Sequence, residues 1–201
     1  MNEEIIRIVL PLYFIFYFGY IFIYKSRLVA KDIGKSPMVL PKDDSAYGLI
    51  GTYFKVAHYL LLAYTIAFGV YPIIHEYLSP MHMIEFEIVQ YIGMGMLLIA
   101  LIWTIIAQEN MKNAWRMGID EATKTPLITN GLFAYTRNPV FVGLILGFGG
   151  LLLITPNTLT LVIFLVEFIL IQIQIRLEEE HLEKLHGDVY IAYKSKTRRL
   201  I

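Results

Sequence analysis

Two short polar stretches of this chain flank a pair of apolar runs and hold side chains suited to gripping a small charged molecule. The first contains Phe133, Tyr135, Arg137, Asn138 and Pro139, and the second opens with Glu178, Glu179 and Glu180. Arg137 precedes Asn138-Pro139, so the backbone there is extended or turning. Pro139 suits the first turn of the helix that follows. An arginine at such a junction can clamp a carboxylate with its planar fork. The ring faces of Phe133 and Tyr135 can pack on a purine or a cation, and the glutamates can take an ammonium or a ribose diol. Adjacent glutamates point about 100° apart on a helix, so the three cannot all face one site. Taken singly, each piece also has a plainer reading as an interface anchor, a belt aromatic or a solvated helix face.

These residues must be positioned by a membrane-embedded scaffold. Of 201 residues, 57% are hydrophobic and only 17% charged, against about a quarter charged in a soluble chain. A span needs about 20 mostly apolar residues. The stretches Ile5–Tyr24, Tyr47–Tyr71, Ile84–Ala107, Val140–Ile154 and Leu159–Ile175 supply five apolar runs. The last two are separated by Thr155-Pro156-Asn157-Thr158, a turn signal, which predicts a tight hairpin. The expectation is an all-α, polytopic membrane protein of a single domain over residues 1–201. Residues 1–107 carry three N-terminal spans, and 108–201 carry a polar segment with the candidate binding residues, the hairpin and a C-terminal helix that Gly187 ends.

Basic residues fall after the first run (Lys25, Arg27, Lys31, Lys35, Lys42), between the third and fourth (Lys112, Arg116, Lys124, Arg137) and in the tail (Arg176, Lys184, Lys194, Lys196, Arg198, Arg199). None falls between runs two and three or in the Pro-Asn turn. Five spans put all three basic segments on one side, expected to be cytoplasmic, with the N-terminus outside. Ser26–Ala46 reads as a basic connector. The N-terminus, Met-Asn-Glu-Glu, lacks a basic n-region, so the first run reads as a retained helix.

Cysteine is absent, which excludes disulfides, thiolate metal sites and a cysteine nucleophile. The histidines and carboxylates show no standard metal spacing, and a formal net charge of zero gives no sign of a nucleic-acid partner. Glu167, mid-span, is either a functional acid or a neutral acid bonded to another helix. Lys55 and His58 lie one turn apart, and Lys55 can snorkel. Gly143, Gly147, Gly149 and Gly150 predict close helix packing.

The order of the pieces says more than any one of them. Trp115-Arg116-x-Gly118 is followed by Gly131-x-Phe133-x-Tyr135-x-Arg137-Asn138-Pro139-x-Phe141-x-Gly143. Then come Glu178-Glu179-x-x-Leu182 and Gly187-x-x-Tyr190-x-x-Tyr193 with a basic end. From Gln108 onward this resembles the isoprenylcysteine carboxyl methyltransferase family in its prokaryotic branch, a superfamily that also takes in phospholipid N-methyltransferases. The eukaryotic pattern has His where Asn138 stands and Tyr where Phe141 stands, which loosens the link to a prenylated cysteine.

The resemblance implies a membrane enzyme using S-adenosyl-L-methionine outside any Rossmann fold. It places Tyr135, Arg137, Asn138, Pro139, Glu178 and Glu179 at the cofactor. It also places Arg116 toward the polar end of a lipidic or prenylated acceptor drawn from the bilayer. Carboxyl methylation needs no general base, because the acceptor arrives ionised. An amine or thiol acceptor would, and Glu109, His181 and Glu178 are the conceivable bases. Two other readings stay open: an NADPH-dependent sterol-type membrane reductase, whose C-terminal half looks similar, and a non-catalytic membrane protein.

Overall fold

A computed structural model describes residues 3–39, 45–118 and 125–201, so Lys42 and Lys124 lie outside the described residues. The protein is an all-α, polytopic membrane protein. No strand occurs among the described residues, only three isolated bridges. Among the described residues, four helical stretches are long and apolar enough to cross a membrane: Glu3–Ile33, Ala46–Val70, Glu87–Ala114 and Thr158–His186. A fifth apolar helix, Pro139–Ile154, has 16 residues. At about 1.5 Å per residue it is roughly 24 Å long, shorter than a hydrocarbon core of about 30 Å.

The first stretch has three parts. Helix α1 (Glu3–Phe18) passes into a π-helix (Gly19–Tyr24) and then α2 (Lys25–Ile33), which Gly34 ends in a left-handed conformation (φ 73°). The basic connector expected from Ser26 therefore begins as helix, because no Gly or Pro interrupts the chain before Gly34. Helix α3 (Ala46–Val70) is capped by the Ser45 hydroxyl, which accepts from the Gly48 amide. A short helix, α4 (Ile74–Tyr77), precedes α5 (Glu87–Met111). Helix α6 (Pro139–Ile154) has its proline in the first turn. After Thr155-Pro156-Asn157, α7 runs from Thr158 to His186 with an Asn157–Thr160 capping box. It continues well past Ile175, again for want of a breaker, and stops at Gly187 (φ 55°). Helix α8 (Asp188–Lys196) follows.

Packing forms a closed circuit: α1 on α3, α3 on α7, α7 on α6, α6 on α5, and α5 back to α1. That last contact is polar, with the Tyr13 hydroxyl donating to the Leu97 carbonyl and Tyr17 bonded to Thr104 at 2.9 Å. The α5–α6 contact is the most extensive, because glycines bring the backbones together. A Cβ at Gly150 would lie 2.8 Å from the Gly93 carbonyl oxygen, and one at Gly143 would lie 2.0 Å from Thr104 Oγ1. Ile6, Leu10, Phe14, Leu61, Phe148, Leu151, Ile154 and Ile171 are buried at the centre, while Ile8, Leu12, Leu60, Ile88, Leu98 and Ile169 face outward. Apolar residues on the outside as well as the inside suit a lipid surroundings.

Glu167 is fully buried, with His58 Nδ1 3.0 Å away in a nest of Phe18, Phe22, Phe54 and Phe148 rings. Lys55, one turn before His58 on α3, is exposed. At the bundle end opposite residues 137 and 179, Glu85 bonds His75 and His82. The connector there also clamps the α6–α7 turn, since the Met81 amide donates to the Pro156 carbonyl and the Thr158 amide to that of Leu78. Burial tends to raise the Glu85 pKa, but the hydrogen bonds and charge of the two histidines outweigh it and hold the carboxyl below its ordinary 4.5. A carboxyl with a lowered folded pKa stabilises the fold above its unfolded value and loses that contribution as pH falls through the folded one. Glu85→Gln is expected to lower the melting temperature in detergent at neutral pH. The gap from the unsubstituted protein should close as pH falls below 4.5 and through the lower folded value; a gap independent of pH would contradict this role.

Candidate functional site

The site is built where three chain segments meet at one end of the bundle: residues 130–139, the end of α7, and the tail. A 3-10 turn (Gly131–Ala134) leads into Arg137, and the Asn110 side chain on α5 accepts from the Leu132 amide at 2.9 Å. A Cβ at Gly131 would lie 2.1 Å from the same Asn110 oxygen, and φ there is +60°. Both facts require glycine at this position. The Trp103 indole, also on α5, donates to the Pro139 carbonyl. Together these contacts fix the height at which Arg137 leaves the membrane end of α6.

At the centre lies the Glu179 carboxylate, 3% exposed as a residue. Arg137 Nε and Nη2 approach its Oε1 at 3.0 and 2.9 Å, and Arg199 Nε and Nη2 approach its Oε2 at 3.1 and 2.9 Å. Asn138 Nδ2 donates to the same Oε1 at 3.3 Å and to the Arg199 carbonyl at 3.0 Å. Arg137 Nη1 donates to the carbonyls of Lys194 and Thr197. The Arg137 amide donates to the Arg198 carbonyl and the Thr136 hydroxyl to that of Arg199. Further along, the Tyr193 hydroxyl donates to the Phe133 carbonyl at 2.6 Å. Burial, with Arg137 opposing and Glu179 adding, pushes that hydroxyl's pKa up to about 12, so it stays a donor at any ordinary pH.

Arg137, Asn138, Pro139 and Glu179, singled out from the sequence, thus come together. The Arg137 fork is occupied by the chain's own carboxylate and carbonyls, so it fastens the tail. Glu178 is turned away and accepts from Gln174 at 2.7 Å, as the helical angle between neighbours requires. Tyr135 is 76% exposed. Arg199 completes the cluster; in the sequence it is hidden in a basic tail whose residue types suggest only orientation.

Two cavities adjoin this end. One, about 420 Å³, is lined by Arg176, Glu179, Glu180, Glu183, Lys184, Lys194 and Arg199. The other, about 690 Å³, lies between α2 and the end of α5 and includes Lys25, Val29, Glu109, Asn110, Arg116 and Pro126 in its lining. Glu109 and Arg116 therefore share a cavity, away from Glu179. Beyond it the chain is tied by the Val39 amide donating to the Met117 carbonyl and the Met117 amide to that of Pro37. Among the described residues, no group of three or more His, Asp or Glu could hold a metal ion.

Breaking one partner of a buried ion pair costs about 3–5 kcal/mol. Arg137 and Glu179 side chains are 8% and 4% exposed, so Glu179→Gln should lower the melting temperature by several degrees and release the tail. Limited trypsin digestion should then cut first at Lys194, Lys196, Arg198 or Arg199. A tail as resistant as in the unsubstituted protein would show that Glu179 does not hold it.

Residues 89–189, just over half the chain, match the family model described as phospholipid methyltransferase. The match takes in all of α6 and α7 and nearly all of α5, with Glu109, Arg116, Arg137, Asn138 and Glu179, and it stops short of Arg199. No curated protein matches the chain. By that match, and in keeping with the ordered motifs around Arg137 and Glu179, the chain belongs to the phospholipid methyltransferase family, a family of membrane methyltransferases.

Proposed function

We infer that this protein transfers a methyl group from S-adenosyl-L-methionine to a lipidic acceptor at the cytoplasmic face of a membrane. The observation that carries the reading is a coincidence of place. The residues Arg137, Asn138 and Glu179, which the family match spans, form a buried charged cluster at the end of the bundle that holds two cavities of ligand size, and Glu179 lines the smaller. Pockets for small ligands run from about 300 to 1,000 Å³. The orientation rests on the basic residues, which crowd the end of the bundle that holds the cluster. The prokaryotic inner membrane is the setting that the Arg-Asn-Pro form suggests.

The cofactor is amphoteric at its amino-acid end and carries a ribose diol. The smaller cavity offers both signs of charge, with Glu180 and Glu183 beside Arg176, Lys184 and Lys194, and that donor set fits such a molecule. Bound there, the cofactor would supply a methyl on a sulfonium; transfer to a carboxylate forms a C–O bond, breaks a C–S bond and leaves the electron pair on sulfur. The protein's own contribution is alignment and exclusion of water. Glu179 fastens the tail beside the cavity, and the 130–139 segment, held from α5, anchors Arg137 against it.

The larger cavity, with apolar residues such as Leu28, Val29 and Ile128 among polar ones, suits the acceptor. Glu109 sits in it as an ion pair with Lys25 at 2.6 Å. A carboxylate so paired is a weak base, which favours an acceptor that arrives ionised, such as the carboxylate of a prenylated cysteine, over an amine that must first lose a proton.

Calorimetric titration of the detergent-purified protein with S-adenosylhomocysteine, with NADPH in parallel, tests the reading. Binding of the first and not the second is expected, and Arg137→Ala should weaken it by about tenfold or more by loosening the tail. Binding of NADPH alone would place the chain with the membrane reductases. Binding of neither would remove the enzymatic reading.

A further inference from the structure

The π-helix between α1 and α2 changes which residues of the first helix face inward. Up to its start, the buried stripe is Ile6, Leu10, Phe14, Tyr17 and then Ile21. In an uninterrupted α-helix, at about 100° per residue, the middle of that whole stripe would pass closest to Leu28, with Tyr24 nearer to it than Lys25 and with Val29 well to the side. The wider turn takes in an extra residue, and the Lys25 amide accordingly donates to the Tyr20 carbonyl, five residues back. The stripe is displaced by one position. Tyr24 and Leu28 are 53% and 40% exposed, while Lys25 and Val29 are 4% and 2% exposed. The helix thus turns an aromatic and a leucine outward and brings a lysine in. Burying an ammonium is unfavourable unless its charge is met, so packing alone does not account for the exchange.

Lys25 is brought into the larger cavity, whose charged lining is Lys25, Asp32, Glu109, Lys112 and Arg116. Among the described lining residues, three are positive and two negative. Glu109, with a side chain 55% exposed, meets Lys25 from the cavity's open side and also accepts from the Tyr20 hydroxyl at 3.2 Å. An ammonium has more N–H donors than this one carboxylate oxygen takes up. Arg116 turns one nitrogen to the Asn113 and Trp115 carbonyls, which fixes its fork at the cavity wall.

We propose that Lys25, set in place by the π-helix, is a specificity-determining residue that binds the anionic group of the acceptor, a carboxylate or a phosphate, together with Arg116. The proposal rests on the methyltransferase reading and adds to it a contribution from the N-terminal helices, which lie outside the matched residues 89–189. Selection among lipids then depends on a charge that the cofactor segment does not itself carry, with the lipid chains lying along the apolar residues Leu28, Val29 and Ile128.

The test uses the full-length protein in detergent and two acceptor probes, N-acetyl-S-farnesylcysteine for a carboxylate and dihexanoylphosphatidylethanolamine for a phosphate. S-adenosylhomocysteine affinity is measured alongside, as a report on the fold and on the cofactor site. One probe should bind, and which one does identifies the anion. Lys25→Met should weaken that probe by about tenfold or more, Lys25→Arg should hold it within about threefold, and S-adenosylhomocysteine affinity should not change. The charge-balanced double variant Lys25→Met/Glu109→Gln should remain weak, and it decides the matter should Lys25→Met fail to fold. Recovery of probe binding in the double variant would overturn the proposal, since Lys25 would then serve only to neutralise Glu109. Unchanged binding in Lys25→Met, or no binding of either probe to the unsubstituted protein, would overturn it too. Loss of S-adenosylhomocysteine binding in the unsubstituted protein would instead contradict the methyltransferase reading on which it stands.

Discussion

One buried carboxylate ties the charged end of this bundle together. Glu179 sits at the end of a long helix with a guanidinium on each of its oxygens, one from the segment entering α6 and one from the last residues of the tail. Such a group is unfavourable when buried alone and stabilising only when its partners are all in place. Three stretches distant in sequence are therefore obliged to meet: 136–139, 179 and 197–199. The carbonyls of Lys194 and Thr197 then complete Arg137, and the tail is held by main-chain groups as well as by charge. Besides this node, α8 is joined to the bundle through the buried Tyr190 ring, the Tyr193–Phe133 contact and the Lys194–Glu183 pair.

The rest of the bundle is arranged to present that node. Glycine contacts let α6 lie close on α5, so a helix of only 16 residues is carried by a longer neighbour. Asn110 and Trp103 on that neighbour set the 130–139 segment. Thr104 joins the same contact to α1 through Tyr17, and α1 in turn leads through the π-helix to Lys25. The smaller cavity is thus built from α7 and the tail, and the larger from α2 and the end of α5. Glu167 lies twelve residues before Glu179 on α7, about 18 Å along the axis. Its contact with His58 belongs to the interior of the bundle and stands apart from both cavities.

Much of this was legible in the residues. Apolar runs gave the helices, Pro139 and Gly187 marked a start and a stop, and the glycines of α6 announced close packing. The family resemblance implies one place for Arg137, Asn138 and Glu179, and the three side chains are in contact. What escaped was whatever depends on register or on distant partners. No residue type marks a π-turn, so Lys25 read as one more basic residue in a connector, and that connector proved helical as far as Ile33. Arg199 looked like its neighbours Lys196 and Arg198 until a carboxylate twenty residues earlier gave it a role. Tyr135, read as a ring for the cofactor, stands exposed, because the 3-10 turn before it buries Phe133 instead.

The central claim is that the Glu179 node closes the tail over a cofactor site. Hydrogen–deuterium exchange of the detergent-purified protein, with and without S-adenosylhomocysteine, tests it most directly. The account predicts slower exchange in residues 131–139 and 188–199 together when the ligand is present, with the Glu85 connector at the far end unchanged. Protection confined to other segments, or none at all at saturating ligand, would contradict it.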